Sequence, residues 1–117
     1  MHEMSIAMQV AEIAEGSIPT DLTGRPVSRV NMKIGKLSAV VADSLRFCFE
    51  IIVADGPLAG CHLNITEIPV VSRCLDCGHE WTVTRPVFAC ESCLSGRIQI
   101  ISGRELEVTS IEMSDLE

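Results

Sequence analysis

The chain has 117 residues, enough for one compact unit or one small domain with an appended module. Its formal charge of −7 argues against nucleic acid, because phosphate binding needs a basic surface. No apolar run approaches the roughly 20 residues that a bilayer-spanning helix needs, so no membrane partner is expected. No secretory signal peptide is read at the start, and the expected location is cytoplasmic. The aromatic residues are Phe47, Phe49, Trp81 and Phe88, so the core must be aliphatic and methionine-rich.

In chain order, the first predicted element is a helix. Ile6, Val10 and Ile13 recur at i, i+4 and i+7, and Met4, Ala7, Ala11 and Ala14 widen the stripe. Gly16 and Pro19 end it, and Ser17 to Pro26 reads as a loop. Val30, Met32 and Ile34 then alternate with Asn31 and Lys33, the pattern of a half-buried strand. A second helix is expected from about Asp43 to Ala54, with Leu45, Phe49 and Ile52 on one face and Cys48 and Ile51 beside it. Asp43 or Ser44 would cap it, and Asp55-Gly56-Pro57 would stop it. Cys61 to Ile68 alternates again. The long connection between these two strands permits a parallel crossover. Ile98 to Met113 returns to alternation, with a bulge near Thr109–Ser110 to reconcile Leu106 and Val108 with Ile111 and Met113. The expected fold class is α+β: a small three-stranded mixed sheet with two helices, plus an inserted four-cysteine, zinc-ribbon-like module.

That module runs from Arg73 to about Arg97 and carries Cys74, Cys77, Cys90 and Cys93, spaced C-x2-C-x12-C-x2-C. Four thiolates in two close pairs suit a closed tetrahedral site, the geometry of structural zinc. A rubredoxin-like iron site would use similar ligands. The module is too short to bury a core, so a metal must supply its folding energy. Trp81, Val83 and Val87 are expected to form a small hairpin beside the metal. His79, two residues past Cys77, is read as a hydrogen-bonding knuckle residue, with zinc or nickel ligation as its alternative. Cys48 and Cys61 read as core residues and His62 as solvated. Met4 and Met8 read as core or partner-facing, and Glu105, Glu107 and Glu112 as a solvated strand face.

The start, Met1-His2-Glu3, is a second informative feature. A free terminal amine, the His2 backbone nitrogen once deprotonated, and the imidazole can close two fused rings around one metal ion. Three nitrogens in a plane suit Ni(II) or Cu(II). No Ser-His-Asp grouping, phosphate-cradling glycine loop or paired acid signature appears, so the protein is expected not to be an enzyme.

Met-His-Glu-Met-Ser-Ile at the start, Lys33-Ile-Gly-Lys-Leu-Ser38, Ser44-Leu-Arg-Phe-Cys-Phe49, Gly60-Cys-His-Leu63 and the four spaced cysteines resemble the HypA/HybF family of hydrogenase maturation nickel metallochaperones. So does the ending Glu105-Leu-Glu-Val-Thr-Ser-Ile-Glu112. The resemblance implies a discontinuous nickel-binding α/β domain over 1–72 and 98–117, with a zinc-binding domain over 73–97. It implies that Met1 and His2 bind nickel, that Glu3 contributes its backbone amide or an outer carboxylate, and that Cys74, Cys77, Cys90 and Cys93 bind zinc. Ni2+ would then be the cargo and Zn2+ structural. The implied partners are a HypB-type GTPase and the [NiFe]-hydrogenase large subunit, with urease maturation proteins for some members. The competing readings are a zinc-ribbon module that binds nucleic acid or a polymerase, and a rubredoxin-like electron carrier.

Overall fold

The computed structural model describes residues 3–114. It divides into two compact units, one over 1–33, 40–66 and 107–117, the other over 34–39 and 67–106. The first unit holds α1 (Glu3–Gly16) and α2 (Ala42–Ile52), which pack on each other. It also holds most of β1 (Val27–Gly35), β2 (His62–Ile68) and β6 (Leu106–Met113), whose strand order is β2-β1-β6.

The buried face of α1 is Ile6, Ala7, Val10, Ala11 and Ala14. Alanines at full burial leave room for a close helix neighbour, which a wider apolar stripe would not. This corrects the expected stripe: Ile13 is 53% exposed and Met4 also faces solvent, because Ala14 continues the i, i+4 series from Val10. On α2, Leu45 and Phe49 are fully buried, as their spacing predicts, while Phe47 and Ile51 point outward. The expected Asp43 or Ser44 cap is absent. Val41 occupies the N-cap position with no side-chain cap bond, and Asp43 instead binds Arg46 Nη1 at 2.8 Å.

In β1, Val30, Met32 and Ile34 are buried and Lys33 is exposed, as the alternation requires. The polar face carries a ladder across the sheet. Asn31 Nδ2 donates to Ser110 Oγ (3.0 Å) and Glu112 Oε2 (2.9 Å), and Asn64 Nδ2 donates to Asn31 Oδ1 (3.0 Å). Ser114 N–H donates to Pro26 O and Ser28 Oγ to Glu112 O, so β1 and β6 run antiparallel. In β2, Leu63 is buried and His62 exposed, as expected.

The second unit contains β3 (Val71–Cys74), β4 (Glu80–Thr82) and β5 (Ile98–Ser102), in the order β4-β3-β5 with both pairings antiparallel. This corrects two expectations. The hairpin partner of Trp81 is Ser72 on β3, and Val87 lies 61% exposed outside any strand. Ile98 to Met113 is two strands rather than one, because the chain turns at Gly103 with φ +116°. A side chain could not replace hydrogen at the neighbouring crossing: a β-carbon on Gly35 would lie 2.1 Å from the Gly103 carbonyl carbon. There Gly35 N–H donates to Glu105 O and Leu37 N–H to Gly103 O.

The burial difference on α2 sets an expected stability contrast. Phe49→Ala should cost about 3–5 kcal/mol by opening a cavity. Phe47→Ser, at a 64% exposed position, should change stability by less than about 0.5 kcal/mol. Urea unfolding followed by helix circular dichroism checks this, and equal losses in the two variants would contradict the packing described.

Candidate metal centre

Two loops of matching design bring the four cysteines together. In the first, Cys74 N–H donates to His79 O (2.8 Å) and Gly78 N–H donates to Cys74 O (3.0 Å). In the second, Cys90 N–H donates to Ser95 O (2.8 Å) and Leu94 N–H donates to Cys90 O (2.8 Å). Both loops need a left-handed residue just after their second cysteine. Gly78 supplies it at φ +80°, whereas the second loop forces Leu94 to φ +64°. For a non-glycine residue that conformation costs about 1–2 kcal/mol. Leu94 is also 79% exposed, so its own burial does not offset the strain.

The backbone then turns its N–H groups toward the sulfurs. Asp76 N–H donates to Cys74 Sγ at 3.4 Å, and Ser92 and Cys93 N–H donate to Cys90 Sγ at 3.3 and 3.4 Å. All four sulfurs lie within 4.8 Å of one another, with Cys74–Cys93 at 3.5 Å and Cys77–Cys90 at 3.6 Å. A disulfide would need about 2.05 Å, and all four thiols are free. A tetrahedral ion with metal–sulfur bonds of about 2.3 Å sets its sulfurs about 3.8 Å apart. The cluster therefore fits a single tetrahedral, thiolate-bound ion. Cys74 and Cys90 form its buried side and Cys77 and Cys93 its exposed side.

Electrostatics divide the metal-free thiols in the same way. Burial raises the Cys74 thiol, but N–H donors from Cys77 and Asp76 and the neighbouring thiols outweigh it and hold it at about 7. Cys90 is lowered on the same balance, burial against the N–H groups of Cys93 and Ser92. At Cys93 the Ser95 N–H pulls downward, but the contact with Cys74, burial and the other sulfurs push the thiol up to about 12. Cys77 also rises, its His79 N–H outweighed by Cys90, burial and Cys74.

Polar ties brace the loops. Asp76 accepts from both Ser95 Oγ and Arg97 Nη1, and Arg97 N–H donates to Ser95 Oγ at 3.0 Å. The Ser95 hydroxyl and the Arg97 charge hold the Asp76 carboxyl below its usual range, although burial opposes them. Arg73 Nε and Nη2 bind Glu80 Oε2 across the β3–β4 pair. His79 does not join the sulfur cluster. Its Nε2 meets Glu91 Oε1 at 2.9 Å, and its ring stacks on Trp81 with centroids 5.8 Å apart. Sequence reasoning missed the bracing roles of Asp76, Glu91, Ser95 and Arg97. Nothing in their spacing signals a contact across 21 residues.

The other candidates fall elsewhere. Cys61 is buried, and burial pushes its thiol up despite its own backbone N–H. Cys48 is half-buried, and Met8 and His62 are exposed. Glu3 opens α1, and its carboxylate accepts the Val41 N–H at 3.3 Å. The expected ligands Met1 and His2 lie outside the described residues.

The split among the thiols predicts how metal binding depends on pH. Cys77 and Cys93 keep their protons in the metal-free protein at neutral pH and must lose them on binding, so lower pH opposes the metal. With at least two protons displaced per ion, apparent affinity should fall at least about a hundredfold per pH unit near pH 8. The slope should steepen below about 7, where Cys74 also takes up a proton. Competition with a chelator across that range checks this, and an affinity independent of pH would contradict it.

Comparison with known proteins agrees with this arrangement. The family described as "Hydrogenase/urease nickel incorporation, metallochaperone, hypA" matches residues 1–113. The hydrogenase maturation factor HypA of Desulfosudis oleivorans is 55% identical over 115 residues, covering 98% of this chain and 100% of that protein. The hydrogenase maturation factor HypA of Desulfatibacillum aliphaticivorans is 55% identical over 117 residues, covering 100% of this chain and 90% of its own. The solution structure of the Ni metallochaperone HypA from Helicobacter pylori superposes with a TM-score of 0.66 at 26% identity, covering 97% of each chain. With the family pattern running from the first residue through the cysteine cluster and into β6, the chain belongs to the HypA family of nickel metallochaperones in hydrogenase maturation.

Proposed function

We propose that the protein binds Ni(II) at Met1 and His2 and delivers it to the large subunit of [NiFe]-hydrogenase during maturation, alongside a HypB-type GTPase. The observation that carries this reading is the family match over residues 1–113, which takes in both Met1-His2-Glu3 and the four cysteines. The Met1 amine, the His2 amide nitrogen and the His2 imidazole supply three planar nitrogens, a set that suits Ni(II). The Glu3 amide is the fourth donor. It belongs to the first turn of α1, whose N–H groups the helix ladder does not use, so ligation there breaks no helix bond. Cys74, Cys77, Cys90 and Cys93 hold a structural zinc, which closes the loops. The functional division is then nickel binding by 1–72 and 98–117, and zinc binding by 73–97. Urease maturation proteins are a further destination. The protein works in the cytoplasm, whose reducing conditions suit four metal-bound thiolates.

The test is metal analysis and nickel titration of untagged protein with its native N-terminus. About one zinc and one Ni(II) per chain are expected, with the absorption of a planar nitrogen site. His2→Ala should abolish nickel uptake, and one residue added before Met1 should disrupt it, while zinc content stays unchanged in both. Nickel titration curves identical to wild type in both variants would refute the terminal chelate.

A further inference from the structure

The cap of α2 comes from α1. Val41, at the N-cap of α2, has φ −85° and ψ 113° and no side-chain cap of its own. Its N–H instead meets Glu3 Oε2 at 3.3 Å, thirty-eight residues away in sequence. The chain reaches Val41 through a tight turn, in which Ser38 Oγ donates to Gly35 O at 2.7 Å and Ala39 sits at φ +60°. One carboxylate thus stands at the N-terminal ends of two packed helices, where both helix dipoles favour negative charge.

Glu3 is joined to His2 by a single peptide bond, so whatever holds Glu3 limits where the nearby nitrogens can go. From this geometry we infer that the Glu3 carboxylate is a positioning residue for the terminal chelate, acting through the Val41 N–H rather than on the metal. The inference rests on the nickel reading above. A Glu3 held on Val41 fixes the residue to which the chelating backbone is joined, so less conformational freedom is lost there when the ion binds. Replacing a ligating carboxylate would change the nickel spectrum, whereas replacing a positioning carboxylate would change the affinity alone.

Val41→Pro tests the contact without touching any proposed ligand. It deletes the N–H at a φ close to the proline range. Loss of this charge-assisted bond should weaken Ni(II) affinity about tenfold. At saturation the nickel absorption spectrum should match wild type, because the ligands are the same. Glu3→Ala should lose affinity similarly, and Glu3→Gln, which keeps an acceptor oxygen, should recover most of the loss. Wild-type affinity in Val41→Pro would overturn the inference. So would Glu3→Gln and Glu3→Ala that bind equally weakly with an altered spectrum, the signature of a ligating carboxylate. If Val41→Pro fails to fold, judged by zinc content and helix circular dichroism, the Gln-to-Ala comparison decides. Amide exchange at Val41 reads the anchor without nickel: protection should fall in Glu3→Ala and return in Glu3→Gln. Unchanged protection in Glu3→Ala overturns the anchor, whereas wild-type protein that takes up no nickel overturns the proposed function instead.

Discussion

Four sulfur atoms lie within 4.8 Å of one another, and the second unit is arranged by what that closeness demands. The buried hydrophobic side chains in this unit are Ile34, Val70, Cys74 and Cys90, and two of these are members of the sulfur cluster. Its three strands are three to five residues long. Aliphatic burial on that scale cannot by itself offset the conformational entropy lost in ordering the unit. An ion held by the four thiolates would supply folding energy that the short strands cannot. The strained Leu94, the N–H groups aimed at sulfur and the Asp76–Ser95–Arg97 tie all make sense as costs or supports of one closed site.

The first unit rests on a different term. Ile6, Val10, Val30, Met32, Leu45, Phe49 and Leu63 are each at most 4% exposed. Burying such a side chain contributes roughly 1.5–3 kcal/mol. Alanines on α1 bring it close to α2, and the Glu3–Val41 contact ties the starts of the two helices. The first turn of α1 is thus held by packing and by a hydrogen bond.

Much of this was legible in the sequence where the signal is local and periodic. The cysteine spacing carries the cluster, because ligand spacing is a covalent constraint on loop geometry. The parity of Val30, Met32 and Ile34 carries β1, and Leu45 with Phe49 carries the buried face of α2. Non-local features were not legible. β3 is four residues, too short for alternation to register, and its neighbour β5 comes from beyond both cysteine pairs. The division of β5 from β6 turns on the conformation of one glycine. Ile13 looked like core by hydrophobicity, yet the small Ala14 took the inward place because the partner helix is near. The cap on α2 could not be read near Asp43 because its acceptor is at residue 3.

The central claim is that the two units draw their folding energy from separate sources, thiolate coordination in one and aliphatic burial in the other. The most direct measurement is residue-level amide exchange before and after the metal is stripped with a chelator under reducing conditions. Protection should be lost at Ser72, Cys74, Trp81 and Ile100 and retained at Val30, Met32 and Leu63. Loss at both sets together, or retention at both, would contradict the account.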